Sequence, residues 1–281
     1  MPVAPFAWLG DTGQAPAGYC LCADPVHLRT DTHGLVLFDT STFSLCGEDR
    51  AALRNVVADF LHQDGWQLQA GRSGRWYLRG DRQQDLDTTP LSWLRGRSVA
   101  GFLPQGRDAP DWRRRCNEIQ MLMHAHPVNR RRAEQGLPLV NSLWIWGGGV
   151  LPEPQQHGVL NQVMSNHPAV QGLGAWSGAH SVPVPERAAG LWQGPEPGGH
   201  TLVTLEALDS PAAYEDVEHW NALLESYERD WFQPLLNALA RRRLRSLDIL
   251  PVNGRRYHLS PAGLLKIWKG SACWRDVLAQ P

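Results

Sequence analysis

The stretch Leu139-Val-Asn-Ser-Leu-Trp-Ile-Trp146, followed directly by Gly147-Gly-Gly149, decides the fold expected of this 281-residue chain. Apolar side chains occupy nearly every position from Leu139 to Trp146, a pattern typical of a strand that is covered on both faces. Such strands are common in parallel and mixed sheets. The three glycines predict a sharp turn after the strand, where backbone N–H groups could approach a ligand closely.

Strand and helix patterns alternate on both sides of this stretch. Glu48–Gln63 has the apolar spacing of a helix, and residues 66–69 and 75–79 predict a hairpin. Farther along, His200–Leu208 predicts a strand and Tyr214–Ala240 a long helical segment. We therefore expect an α/β fold with a mixed, largely parallel sheet flanked by helices, together with a smaller α+β lobe.

A loop-rich segment from Thr88 to Gly106, broken by several glycines and prolines, suggests a boundary between lobes. We expect an N-terminal α+β lobe at residues 1–105 and an α/β core lobe at residues 106–281. One continuous domain of this length is the alternative.

The composition limits the classes of partner. The formal net charge is −1 at pH 7, so we expect no binding to nucleic acid and none to anionic membranes. No run approaches the ~20 apolar residues of a membrane helix, and Met1–Gly10 lacks the pattern of a secretory signal. Five cysteines without disulfide-like spacing predict a reducing, cytoplasmic location.

Polar side chains concentrate in the segment that leads into the glycines. Ligands of open α/β sheets lie beyond the carboxyl ends of strands, and arginine side chains there could complete a phosphate or carboxylate site. The alternative is that the glycines only make a turn and the arginines face solvent. The predicted anion-binding residues of this segment are Asn129, Arg132, Asn141, Trp146, Gly147 and Gly148.

A second polar cluster lies in Asp24-Pro-Val-His-Leu-Arg29. His27 and Arg29 share one face of an extended segment, because side chains alternate along a strand, and we expect both to line the pocket. Asp24 before Pro25 predicts a turn.

No assembled catalytic centre is evident in the sequence. It contains no Gly-x-Ser-x-Gly, no His-Glu-x-x-His, no Walker loop and no dinucleotide fingerprint. Glu215 and His219 could share one face of a helix that starts near Tyr214 and hold a metal there, but the helix dipole also explains acidic residues at a first turn. We predict no catalytic residue, no metal and no cofactor.

The run His126-Pro-Val-Asn-Arg-Arg-Arg132, the segment Gly136-Leu-Pro and the run Asn141–Gly149 resemble the archaeal-type cofactor-independent phosphoglycerate mutases, which belong to the alkaline phosphatase superfamily. The resemblance extends weakly from about Ala23 to about Leu250. It implies a phosphoglycerate-mutase-like fold and a retained pocket for a phosphorylated metabolite.

The chemistry of that family is not implied. At the place of its Asp-Glu-Ala-Gly-His metal motif this sequence has Leu208–Tyr214, in which Asp209 matches the aspartate but the glycine–histidine pair is missing. The segments of the first metal-binding aspartate and of the serine nucleophile have no match, and Asp248–Asn253 stands in place of a late Asp-His. Phosphoryl transfer in such enzymes requires two metals and an activated serine.

Over nearly the full length, the chain is more similar to the RpfE-type regulatory proteins of proteobacteria. The resemblance lies in Cys22–Arg29, in Asn117–His124 and in the tryptophan–glycine strand, and it implies a regulatory role.

Three hypotheses follow from the sequence. The first is a non-catalytic protein that binds a small anionic metabolite, a partner protein or both. The second is a metal-dependent phosphomutase or phosphatase with a rearranged site. The third is a structural interaction module that uses tryptophan-rich surface as its contact patch.

Overall fold

A computed structural model gives the structure of the chain and describes residues 2–32, 34–154, 158–193 and 199–264. The α-helices are α1 (Val3–Thr12), α2 (Gly47–His62), α3 (Ala109–Ala125), α4 (Pro127–Glu134), α5 (Pro168–Trp176), α6 (Asp209–Ala213), α7 (Val217–Tyr227), α8 (Gln233–Ala240) and α9 (Pro261–Leu264). The strands are β1 (Tyr19–Asp31), β2 (Gly34–Phe38), β3 (Gln67–Ala70), β4 (Trp76–Gly80), β5 (Ser142–Gly149), β6 (Leu160–Met164), β7 (His180–Val182), β8 (His200–Val203), β9 (Leu247–Ile249) and β10 (Tyr257–Leu259).

These elements form two compact units, one of residues 1–184 and 196–220 and the other of residues 185–195 and 221–281. The boundary expected near residue 105 lies inside the first unit, and the division into two lobes there stays a prediction. Within the described part of the chain, no helix is both long enough and apolar enough to cross a membrane.

The first unit is built on a five-stranded antiparallel sheet. Its order is β2-β1-β4-β3, and β5 pairs with β1. Strand β1 contributes Tyr19–Cys22 to the pairing with β4, Cys20–Val26 to β5 and His27–Asp31 to β2. The prediction of a largely parallel sheet is therefore wrong, although the mixed α/β class holds.

The error has a physical reason. Strand β5 is buried on both faces, because helices α2 and α3 cover one face of the sheet and α1 covers the other. A strand in that position is apolar at nearly every residue whichever way its neighbour runs. Among the described residues, parallel pairing occurs in the small sheet β7-β6-β8.

Two buried clusters hold the large sheet between its helices. The cluster under α2 and α3 includes Leu21, Leu53, Leu78, Trp112, Ile119, Met123 and Ile145. The cluster under α1 includes Ala7, Trp8, Cys22, Tyr77, Trp144 and Trp146. Each large side chain buried in this way contributes about 1.5–3 kcal/mol of transfer free energy.

Helix α1 also crosses α5 at very close range. A Cβ atom on Gly172 would lie 1.8 Å from the carbonyl oxygen of Phe6, and one on Gly10 would lie 2.0 Å from that of Pro168. The absence of side chains at both glycines therefore lets α5 pack closely against α1 within the first unit.

The second unit contains a π-helical turn at Glu228–Phe232, helix α8 and the hairpin β9-β10. Trp231 and Leu239 are buried within it, and Arg243 lies over the ring of Trp192 at 4.7 Å.

Candidate functional site

The structure brings five of the eight predicted site residues to one end of the β1–β5 pair. These five are His27, Arg29, Asn129, Arg132 and Asn141. Trp146, Gly147 and Gly148 lie toward the other end, where Trp146 pairs with Cys22. A strand rises about 3.3 Å per residue, so roughly 16 Å separates Asn141 from Trp146 along the strand direction.

The side chains of Asn129 and Asn141 both form hydrogen bonds with backbone groups of other segments. Buried Asn129 donates from Nδ2 to the carbonyl oxygens of Met123 (2.7 Å) and Val140 (2.8 Å), and its Oδ1 accepts the N–H of Val140 at 2.9 Å. Asn141 pairs in the same way with Leu28, accepting its N–H at 2.8 Å and donating to its carbonyl at 2.9 Å. These bonds fix the loop before β5 against α3, α4 and β1.

Arg132 is a buried cation held by neutral groups. Its Nε donates to the carbonyl of Pro138 at 2.7 Å, its Nη1 donates to that of Ser44 at 3.0 Å, and the guanidinium lies over the Phe43 ring. The residue is 4% exposed, and it forms no ion pair with a carboxylate in the described part of the chain. No carboxylate of the described residues therefore neutralises the positive charge of Arg132, and this charge can act on neighbouring groups.

Next to it lie His27, which is half-buried, and Arg29, which is exposed. Nδ1 of His27 lies 2.8 Å from the carbonyl oxygen of Leu139, so it donates there and leaves Nε2 as the other ring nitrogen. The guanidinium of Arg29 lies 4.7 Å from the centre of the Phe38 ring, and no carboxylate among the described residues pairs with it.

The electrostatics of these groups agree with their positions. Burial is the main cause that lowers the pKa of His27, the hydrogen bond to Leu139 opposes it, and the positive charges of Arg29 and Arg132 lower the pKa further. We call His27, Arg29 and Arg132 the cationic site. Two arginines without carboxylate partners, next to a histidine, favour a compact anion such as a phosphoryl group.

The three predicted residues at the other end of β5 have packing roles. Nε1 of Trp146 donates to the carboxylate of Asp24 at 2.7 Å, and the N–H of Gly147 donates to Thr88 Oγ1 at 3.2 Å. A Cβ atom on Gly148 would lie 2.1 Å from the hydroxyl oxygen of Tyr19. The expected turn at the glycines is wrong, because they continue strand β5, which needs their small size to lie against neighbouring side chains.

Gly148 and Gly149 also line a polar cavity of about 600 Å³ with Arg82 and Arg107. Both arginines are ion-paired there, to Asp108 and Asp85 respectively. Their charges are thus balanced within the chain, unlike those of the cationic site.

Asp24 does not form the predicted turn. It lies within β1, buried, where its carboxylate accepts hydrogen bonds from Nε of Arg75 at 2.9 Å and from Trp146. The arginine also lies over the Trp146 ring at 5.3 Å. Sequence reasoning missed the ion pair of Arg75 with Asp24, because the two residues are 51 positions apart along the chain.

Asp209, the residue that resembles a metal-binding aspartate, is ion-paired with Arg95. Arg95 also pairs with buried Asp39 at 2.7 Å, and Asp39 lies 3.1 Å from the hydroxyl of Tyr214. The Tyr214 ring stacks on Phe38, next to the cationic site. Sequence reasoning did not find this network, because the partners of each of its bonds are at least 56 residues apart along the chain.

The suggested metal pair is not assembled. Glu215 has a φ of 57° and lies before α7, whereas His219 lies in the first turn of that helix. The N–H of His219 donates to Asp216 at 3.1 Å. No group of three or more His, Cys, Asp or Glu side chains with metal-binding geometry occurs among the described residues.

Comparison with known proteins gives a consistent relationship. No protein-family model matches the chain. It is 31% identical over 190 residues to a probable 2,3-bisphosphoglycerate-independent phosphoglycerate mutase of Geobacter sulfurreducens, covering 66% of this chain and 47% of the relative. The enzyme of Methanosarcina mazei is 26% identical over 188 residues (62% and 47%), and that of Methanothrix thermoacetophila 29% over 175 (56% and 44%).

Among solved structures, the chain is similar to a cofactor-independent phosphoglycerate mutase from Thermoplasma acidophilum, with a TM-score of 0.40, 18% identity and coverage of 79% of this chain and 64% of that one. It is also similar to the PH0037 protein of Pyrococcus horikoshii, with a TM-score of 0.42, 13% identity and coverage of 81% and 59%.

The chain thus spans less than half the length of the curated relatives that it matches. The matches at 26% and 29% identity are described as 2,3-bisphosphoglycerate-independent phosphoglycerate mutases, and the match at 31% as a probable one. The chain is therefore a distant homologue of the archaeal-type cofactor-independent phosphoglycerate mutases.

Proposed function

We propose that this chain is a non-catalytic regulatory protein, similar to phosphoglycerate mutases, that binds a small phosphorylated metabolite at the cationic site. One observation carries the proposal: the positive charges of Arg29 and Arg132 both act on His27, and neither arginine has a carboxylate partner among the described residues. A phosphoryl group would supply the negative charge that these side chains lack.

Arg132, Arg29 and His27 would contribute to ligand binding in different ways. Arg132 is fixed by two backbone carbonyls, so it contributes a buried, immobile charge. Arg29 is held over the Phe38 ring, which orients the plane of its guanidinium and reduces the side-chain entropy lost on binding. An anion beside His27 favours the protonated imidazole, in which Nε2 becomes a hydrogen-bond donor.

The non-catalytic part of the proposal is supported by Asp209. A carboxylate that neutralises Arg95 is a weaker metal ligand, because the ion pair would have to be broken first. The sequence resemblance to RpfE-type proteins favours a regulatory role, and we place that role in the cytoplasm on the sequence grounds given above. The class of ligand, a phosphoglycerate-like compound, comes from the homology to phosphoglycerate mutases.

The proposal is tested by thermal shift of the full chain with 3-phosphoglycerate and with glycerate, which lacks the phosphoryl group. A bound ligand raises the melting temperature in a saturable way. We expect a rise with 3-phosphoglycerate only, weakened about tenfold or more in apparent affinity by Arg29→Gln, since a hydrogen bond to a charged group contributes about 1.5–3 kcal/mol.

Arg114→Gln removes an exposed arginine of α3 and serves as the matched control, with no expected change in affinity. Equal shifts with the two compounds, or an unchanged affinity in Arg29→Gln, would refute the proposed site. No shift with either compound would also contradict the proposed site and would favour a protein partner instead.

A further inference from the structure

The polar cavity of about 600 Å³ lies where strand β5 ends, away from the cationic site. The terminal glycines of β5 form one wall, and residues 82–86 and 107–108 form the others. The two loop segments are fixed to each other, because Asp87 and Gln105 exchange backbone hydrogen bonds of 2.9 Å. The cavity is therefore formed before any ligand binds, and its volume is within the range of small-molecule sites.

A buried hydroxyl group borders this cavity. Tyr19 is 2% exposed and lines the cavity, and a Cβ atom on Gly148 in the same wall would lie 2.1 Å from its hydroxyl oxygen. This hydroxyl forms no hydrogen bond with the residues that the structure describes. Burial, followed by the neighbouring Cys20 and Asp108, raises the pKa of Tyr19 to about 12, so the hydroxyl keeps its proton at neutral pH. Buried hydroxyl groups without partners are rare in folded proteins, which favours a ligand that bonds to this one.

The charged side chains of the lining form two ion pairs. Arg82 donates to Asp108 at 2.9 Å, and Nη2 of Arg107 lies 3.3 Å from the carboxylate of Asp85. The charges of these pairs cancel, so a ligand with a net charge would leave one charge in the cavity unbalanced. Each pair also places donor N–H groups next to acceptor oxygens. A hydroxyl group both donates and accepts, so hydroxyls on adjacent carbon atoms match such pairs, and C–H groups of the same ligand can pack on Leu86.

We propose that this cavity binds a neutral polyol of the size of a sugar ring. The hydroxyl of Tyr19 bonds to one hydroxyl of the ligand, and the two ion pairs bond to others. The site is formed by residues other than those of the cationic site, and it does not depend on the function proposed above.

The test is NMR of the full chain labelled with ¹³C at the tyrosine Cζ atoms and titrated separately with D-glucose, D-galactose, D-mannose and D-ribose. The Tyr19 signal is assigned by its loss in Tyr19→Phe. We expect at least one of these sugars to shift the Tyr19 signal saturably, because the hydroxyl gains a hydrogen-bond partner. Tetrahydropyran, which has the ring of a hexose without its hydroxyl groups, should cause no such shift.

Tyr19→Phe keeps the ring that packs against Trp66 and removes only the hydroxyl. We expect the affinity for the sugar, measured by saturation-transfer NMR on the sugar signals, to fall about two- to tenfold. Tyr257→Phe removes a tyrosine hydroxyl from the hairpin β9-β10 and should bind the sugar like the unaltered chain. Arg29→Gln should also leave sugar binding unchanged, which separates this site from the cationic site.

Several results would overturn the proposal. They are no saturable shift of the Tyr19 signal with any of these sugars, the same shift with tetrahydropyran, or unaltered sugar affinity in Tyr19→Phe when that variant is folded by circular dichroism. A Tyr19 signal that responds to inorganic phosphate at lower concentration than to any of the sugars would contradict the choice of a neutral ligand.

Discussion

Replacing Asp24 with asparagine should destabilise the first unit strongly, because the buried cation of Arg75 would lose its negatively charged partner. The Asp24 side chain is 9% exposed and that of Arg75 is 16% exposed, so water screens the pair little. Removing one partner of a buried ion pair costs about 3–5 kcal/mol. Asparagine retains an oxygen that can accept from Trp146, so we expect a loss of about 2–4 kcal/mol.

The assay is urea unfolding at equilibrium, followed by tryptophan fluorescence. With a denaturant dependence of about 1–3 kcal/mol per molar urea, the expected loss moves the midpoint down by roughly 1–2 M. Asp85→Asn removes one member of an exposed pair, in which the two side chains are 57% and 82% accessible, and should change stability by less than about 1 kcal/mol.

A double variant separates the effect of the unpaired Arg75 charge from the effect of the hydrogen bonds lost by Asp24. The double variant Asp24→Asn/Arg75→Met removes both charges, and it should be more stable than Asp24→Asn alone. The reasoning is refuted if Asp24→Asn costs no more than Asp85→Asn, or if the double variant is the less stable of the two.

Three further predictions follow from the packing and from the pKa shifts. Gly172→Ala should lower the free energy of unfolding by about 1–3 kcal/mol, because the new Cβ would meet a carbonyl oxygen of α1. Gly47→Ala, which has open space at the start of α2, should not lower it. Urea unfolding of both variants measures the difference. The pKa of His27 is lowered in the fold from its usual 6.5, so the unfolded chain takes up a proton first as the pH falls below 6.5 and stability is lost; His27→Gln should flatten that dependence, and an unchanged slope would contradict it. Burial raises the pKa of the Cys20 thiol to about 12, so alkylation followed by mass spectrometry should modify exposed Cys46 and leave Cys20 unmodified until the chain unfolds; early modification of Cys20 would contradict its burial.

The sequence predicted local elements well where a short-range pattern determines them. Helix α2 and the hairpin β3-β4 lie within a few residues of their predicted positions, because an amphipathic period and a Gly-containing turn are local signals. Strand direction was not predictable from β5, since burial on both faces produces the same apolar run in parallel and antiparallel sheets.

The candidate site shows the same limit. His27 and Arg29 could be paired from strand alternation alone, and the structure places Arg132 beside them through the backbone ties of Asn129 and Asn141. The ion pair between Asp24 and Arg75 joins residues 51 positions apart, so no local pattern announces it.

The central claim is that the chain binds a phosphorylated metabolite without converting it. The most direct measurement takes one preparation of the full chain with Mn²⁺ present, and determines both the affinity for 3-phosphoglycerate by calorimetry and the formation of 2-phosphoglycerate by a coupled assay. We expect saturable binding, weakened about tenfold or more by Arg29→Gln, with no product above the background of a protein-free control. Product formation that depends on the chain, or the absence of any binding, would contradict it.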